Sequence, residues 1–246
     1  MKLFDAFVSC GCLKDMHLFQ PDVDHRVLAN MMDKYRIAKA LLTSFHSFNS
    51  LFRLNEIIFA TAKQDSRLVP CPLVLPGSKE EIGDMDAFVA TLIKRGARCV
   101  SYYPLSSNII HHKLIHDRLF TVLSERRLPV IIPAAELPLE KIVDLVQLYP
   151  ELKVICSGVS YRYARNIYPV LKACPNFHVM FPFFINQGIE EIVAQLGAAQ
   201  LIFASNFPVQ EPGASIAYLA YARISGENRE LIGFENINHL IGGVAV

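Results

Sequence analysis

LIFASNFP, residues 201–208, sets four apolar side chains (Leu201, Ile202, Phe203 and Ala204) ahead of a small polar corner at Ser205 and Asn206. A short apolar run without alternation reads as a strand buried on both faces, as in a parallel sheet covered by helices. Its abrupt end puts Asn206 in the loop beyond the strand. The same grammar runs through the chain. Strand-like segments are Leu3 to Ser9, Ile37 to Ser44, Arg67 to Leu75, Arg98 to Tyr103, Leu128 to Pro133, Leu152 to Ser157 and Asn176 to Phe181, with Leu201 to Ser205 as the eighth. Helical segments alternate with them. Pro21 to Tyr35 repeats Val23, Val27, Leu28, Met31, Met32 and Tyr35 on one face. Others are Phe48 to Lys63, Ile109 to Arg126, Leu139 to Leu148, Tyr161 to Ala173 with Pro169 as a kink, and Gly188 to Leu196. Ser78 and Glu81 have capping-box spacing and open a helix with Ile82, Met85, Phe88, Val89, Leu92 and Ile93 inward, ended by Gly96. Pro70 and Pro72 make the third strand irregular or edge-like. Two closing helices fall near Ser215 to Ile224 and Arg229 to Ile241.

Eight β/α units with short connections predict one (β/α)8 barrel over residues 1–246, with parallel strands inside a helical layer. An open doubly wound sheet is the alternative. No GxGxxG or Walker A stretch supports a nucleotide fold. The 246 residues are 52% hydrophobic, enough for one large core, and the net charge of +1 points to neither nucleic acid nor an anionic membrane as partner. No run of 18 apolar residues predicts a membrane span, and Asp5 breaks the apolar start that a signal peptide would need. Six cysteines, at 10, 12, 71, 99, 156 and 174, are scattered through strands and helices rather than framed by loops, which predicts reduced thiols and a cytoplasmic home.

Read together, these segments resemble the amidohydrolase-2 branch of the metal-dependent hydrolases. FDAFVSCG resembles the D-A-H-x-H-x-G motif of strand one. Asn55 through Pro76 resembles the helix and proline-bearing strand three, and GARCVSYYP resembles strand four. RLPVIIPA resembles the strand-five P-V-x-x-H pattern, and YPELKVICSGVS the strand-six P-x-L-K-x-x-x-x-H-x-G pattern. CPNFHVMF resembles strand seven, LIFASNFP the G-S-D-x-P strand eight, and ELIGFENINHLIG the closing helix in which Asn236 precedes an apolar face. The likeness covers most of the chain. It implies a barrel hydrolase that uses zinc or another divalent metal, held by two histidines of strand one, one each of strands five and six, and the strand-eight aspartate. Carried over, those positions fall on Phe7, Ser9, Pro133, Gly158 (Ser157 lies one residue off) and Asn206. None offers imidazole, thiolate or carboxylate. An amide at 206 carries no charge and is no base at neutral pH. The resemblance therefore implies architecture without the family's metal, and no cofactor is expected.

Other residues hold chemistry of their own. Cys10 and Cys12 form a CxC pair that would serve a thiolate metal site with His17, His46 or Cys156, or would simply be two small thiols in a turn at Gly11. His46 ends strand two, where barrel loops carry sites. His112 and His116 share a helix face in HHKLIH, which lacks the glutamate of a zinc-protease helix and reads as a solvated face or an oligomer contact. Tyr102, Tyr103 and Glu136 should border the mouth. Glu136 reads either as a general acid or base or as a partner of Arg162 or Arg165. Phe181, Phe183 and Phe184 would stack on a ligand or plug the mouth. No GxSxG elbow is present.

Three readings follow. The first is a non-catalytic or metal-independent barrel that binds a small molecule at a mouth built by Ser9, His46, Tyr103, Glu136, Ser157 and Asn206. The second is an active hydrolase of C–N, C–O or C–C bonds with a rearranged metal site. The third is a structural subunit of an oligomer, for which the mean hydropathy of +0.29 leaves enough apolar surface.

Overall fold

The computed structural model describes residues 1–11, 22–45, 51–77, 79–181 and 188–245. Its strands are β1 (Leu3–Cys10), β2 (Ile37–Ser44), β3 (Leu68–Pro70), β4 (Val100–Ser101), β5 (Val130–Pro133), β6 (Val154–Ser157), β7 (Phe177–Phe181) and β8 (Leu201–Phe203). Its helices are α1 (His25–Tyr35), α2 (Leu51–Ala62), α3 (Lys79–Ile82), α4 (Met85–Lys94), α5 (Lys113–Glu125), α6 (Leu139–Leu148), α7 (Ala164–Ala173), α8 (Gly188–Leu196), α9 (Pro212–Tyr221), α10 (Gly226–Glu230) and α11 (Asn236–Gly242). All strand pairings are parallel, in two arcs, β1-β2-β3 and β4-β5-β6-β7-β8. Two seams join the arcs. Ser101 N–H donates to Pro72 and Val74 N–H donates to Ser101, both at 2.9 Å. On the other side Ser9 N–H donates to Phe207 at 2.9 Å. The sheet thus closes as a (β/α)8 barrel, and the open-sheet alternative falls.

The third strand is shorter than the sequence suggests. Pro72 has no N–H for the ladder, so regular pairing stops at Pro70 and the chain continues extended toward Leu73. Asn55 on α2 holds that extension by giving its amide to Leu73 O at 2.9 Å and accepting from Leu73 N at 2.8 Å. The helix expected from Ser78 is two pieces. Gly83, at φ +71, ends α3, and Asp84 caps α4 by accepting from Asp86 N–H at 3.1 Å. Ser78 itself lies outside the described residues.

Side chains alternate between two cores. Val8, Cys10, Leu42, Val100, Tyr102, Ile132, Val154, Cys156 and Phe203 face the helices. Phe4, Ala6, Leu41, Cys71, Cys99, Ile131, Ile155, Met180 and Ile202 fill the lumen. The base of the lumen is closed by a π-turn, Leu231–Glu235, leading into α11: Phe234, Ile237 and Ile241 enter beneath Phe4. Gly233 permits this approach, because a Cβ there would meet Lys2 O at 3.2 Å. Asn236 ties the plug to β8 by donating to Ala198 O (2.8 Å) and Leu201 O (2.7 Å). No described helix is long and apolar enough to cross a membrane.

Candidate functional site

The mouth is built where strands end. In β1 Asp5 is fully buried, and its Oδ1 accepts from Ser205 N–H at 2.9 Å and Phe7 N–H at 3.2 Å. Oδ2 has no partner. Burial is the largest influence and raises the Asp5 carboxyl to about 6 against the pull of these hydrogen bonds. The carboxylate clasps β1 to the end of β8, so it closes the barrel at the very corner read from LIFASNFP. Sequence reading used Asp5 only as a break in an apolar run. A charge inside a doubly buried strand was the signal for more.

Toward the other seam, between β2 and β4, lies a set of neutral hydroxyls. Thr43 Oγ1 and Ser101 Oγ are 3.3 Å apart and buried, and Ser101 Oγ lies 3.5 Å from Pro72 O. Tyr103 hydrogen-bonds to the Thr43 side chain. Desolvation pushes the Tyr103 phenol well up, helped by Cys71 and Glu136 and opposed by Thr43, so it stays protonated at neutral pH. Thr43 and Ser101 were not among the expected site residues. Of those that were, Ser9 and Ser157 are both 5% exposed at their strand ends, and Ser157 stands opposite Pro133 in the β5–β6 register. Asn206 is at the rim in the left-handed region, φ +61. His46 lies outside the described residues, as do Cys12, His17, Phe183 and Phe184; of Phe181 only the backbone is described, paired with Phe203.

Glu136 has a partner that the sequence did not suggest: it accepts from Ser106 N–H at 2.8 Å and from the Ser106 hydroxyl, which ties the β5–α6 loop to the β4–α5 loop. Three expectations are corrected. Tyr102 does not border the mouth. It is fully buried against α5, edge-on to Phe120 at 5.2 Å. His116 is not on a solvated face: it is 3% exposed, stacked on His111 at 4.3 Å, while His112 caps α5 by accepting from Leu114 N–H at 3.3 Å. Cys10 and Cys156 do not turn toward a common cation. Both face the helical layer, and burial raises their thiols to about 11 and about 12. One residue of alternation separates them from Ser9 and Ser157.

The five positions that correspond to the expected metal ligands hold an aromatic ring, a hydroxyl, a proline, a glycine and an amide. That donor set does not fit a divalent cation. Among the described residues no three His, Cys, Asp or Glu side chains are grouped so as to hold a metal.

The amidohydrolase family model, Amidohydro_2, matches residues 45–241. The chain belongs to the amidohydrolase family. Solved structures agree on the fold of this amidohydrolase barrel. An uncharacterized TIM-barrel protein from Bordetella bronchiseptica superposes with a TM-score of 0.78 at 15% identity, over 99% of both chains. The probable 2-pyrone-4,6-dicarboxylic acid hydrolase from Acinetobacter baumannii, with citric acid bound, gives 0.72 at 15% identity, over 98% of this chain and all (100%) of the other. A 2,6-dihydroxybenzoate decarboxylase from Rhizobium gives 0.73 at 11% identity, over 98% and 99%. A comparison with curated proteins gives no match. At these identities the neighbours speak for the amidohydrolase fold, not for a reaction.

Proposed function

We propose that this amidohydrolase-family barrel works without the family's metal centre and binds a small molecule at the mouth formed by Ser9, His46, Tyr103, Glu136, Ser157 and Asn206. The observation that carries the reading is the replacement of charged and imidazole donors by Phe7, Pro133 and neutral hydrogen-bonding groups, with Tyr103 protonated beside the Thr43–Ser101 pair. Such a surface suits a small molecule that offers hydrogen-bond donors and acceptors and one apolar edge. A cytoplasmic home fits the thiols of Cys10, Cys71, Cys99, Cys156 and Cys174, which are free and buried.

Two measurements test the proposal. Elemental analysis of protein grown with added zinc and manganese should find far less than one metal per chain; one equivalent, whose removal by chelator lowers Tm, would end the metal-independent reading. A thermal-shift screen of small hydroxylated and carboxylated molecules should give ligands whose shift is lost in Tyr103→Phe and Ser157→Ala. Ligands indifferent to both substitutions bind elsewhere, and the mouth is then not the site.

A second reading, a subunit of a larger assembly, is favoured by one feature. Leu105, Ile110 and Leu114, along the β4–α5 connection and the start of α5, are 69%, 72% and 89% exposed. Gel filtration decides it: a monomer whose elution is unchanged by Leu114→Asp does not assemble through this patch.

A further inference from the structure

The end of the barrel opposite the mouth ordinarily serves stability, and its side chains are expected to be packed and paired. His178 breaks that rule. It sits on the lumen face of β7, two residues before Met180 and level with Ile155 of β6. It is 6% exposed, and neither ring nitrogen completes a hydrogen bond. The Ala199 backbone comes near enough to act on it without closing a bond. A buried imidazole with two idle nitrogens is a costly residue to keep for packing alone.

His178 lines a cleft of ≈480 Å³ at the base of the barrel, within the size range of small-molecule sites. Leu231 and Leu240 give it apolar walls, and Lys153 supplies a cation. Glu235 and His239 complete its charged and titratable lining. Lys153 is half-buried whereas Glu235 and His239 are exposed, so the inner end belongs to Lys153 and His178 and the acid stays on the outer edge. One wall is the π-turn, Leu231–Glu235, a departure from α-helical winding that often marks functional places. No Asp or Glu stands at the inner end to neutralise Lys153, and Lys153 makes no ion pair with a described residue.

We infer that this basal cleft is a second ligand site, which takes a small monocarboxylic acid with an apolar body, its carboxylate held between Lys153 and His178 and its body against Leu231 and Leu240. Burial, with the Lys153 charge behind it, holds the free His178 imidazole neutral, with its value lowered to about 4. A neutral ring donates one N–H to a carboxylate, and a carboxylate beside it favours the protonated ring. Binding should therefore raise the His178 value, which gives the site its own signature.

The test uses the full chain with benzoate and hexanoate as probes and benzamide as the uncharged control. Histidine ring resonances are followed by heteronuclear NMR across pH. Either acid should move the His178 signals saturably and raise their midpoint, with no effect from benzamide. Lys153→Met should weaken binding about tenfold, or about 1.4 kcal/mol. Glu235→Gln should leave it unchanged or tighten it. His178→Gln, followed through the His239 ring of the same cleft, should abolish binding of the acids, while Tyr103→Phe, at the other end, leaves it intact. The inference is overturned if neither acid shifts His178, if benzamide binds as well, or if Lys153→Met binds like the parent. A loss on Tyr103→Phe with Lys153→Met silent would assign the acid to the mouth instead.

Discussion

Replacing Asp5 by Asn isolates the one buried charge of the barrel seam. The Asp5 carboxyl stands at about 6 in the folded chain against 3.8 for the ordinary group, with burial as the leading cause. At roughly 1.4 kcal/mol per tenfold change in proton affinity, that difference is about 3 kcal/mol. A carboxyl raised by folding binds its proton more tightly in the native state. Its stabilising contribution is thus complete below 3.8 and is lost as pH rises through about 6. Asp24, Glu56, Asp65 and Glu211 are lowered in the fold and act in the reverse direction, so the parent's total pH profile mixes signs. The difference between parent and Asp5→Asn does not, since those groups cancel. Asn keeps the carbonyl oxygen that accepts from Ser205 and Phe7 and places an amide where Oδ2 already lacks a partner. Urea unfolding from about pH 3 to 7.5 should show the parent's advantage over the variant shrinking by about 3 kcal/mol as pH rises. Asp5→Ala, which strips both N–H groups of their acceptor, should instead lose about 2 to 5 kcal/mol at every pH. A parent-minus-Asn difference that is flat, or grows with pH, refutes the reasoning.

Asn176 donates one amide nitrogen to Val146, Tyr149 and Leu152 carbonyls at 3.0, 3.1 and 3.0 Å, joining the end of α6 to the start of β7, so Asn176→Ala should cost about 2 to 4 kcal/mol in urea unfolding. Burial, aided by the charge of His111, lowers His116 to about 4. A histidine depressed by folding stabilises above 6.5 and loses that contribution as pH falls toward about 4, so His116→Phe should flatten the acid limb of the unfolding profile over that window. Asn206 adopts φ +61, which asparagine tolerates better than most residues, so Asn206→Val should lower stability by about 1 to 2 kcal/mol while Asn206→Gly stays near the parent in the same assay.

The barrel was legible because a doubly buried strand writes itself as an unbroken apolar run, and eight such runs separated by amphipathic stretches leave few arrangements. The same property hides the site. When both faces of a strand are apolar, period-two patterning carries no contrast, and nothing in VSYY says that Ser101 and Tyr103 enter the lumen while Val100 and Tyr102 meet helices. One step of register exchanges the two sets. That step takes Tyr102 from the mouth to the helical layer, and with it the thiols of Cys10 and Cys156. Glu136 shows a different limit: charge suggests an arginine as partner, whereas the preceding loop brings a serine hydroxyl and its backbone N–H to both carboxylate oxygens.

Asp5 and the hydroxyl set explain each other. A mouth of imidazoles and carboxylates gains from a cation, which takes up lone pairs and offsets like charges. Hydroxyls and amides are donors and acceptors at once, so Thr43, Ser101 and Tyr103 can satisfy one another with no ion among them. The Asp5 carboxylate is met by the backbone N–H groups of Phe7 and Ser205, which need no counter-charge. At the β1–β8 seam the Asp5 carboxyl is met by backbone N–H groups on Oδ1 and left idle at Oδ2, and that idle oxygen fits a carboxyl raised toward holding a proton there. The cohesion of this seam is local hydrogen bonding, and its weak point is a change of proton at Asp5.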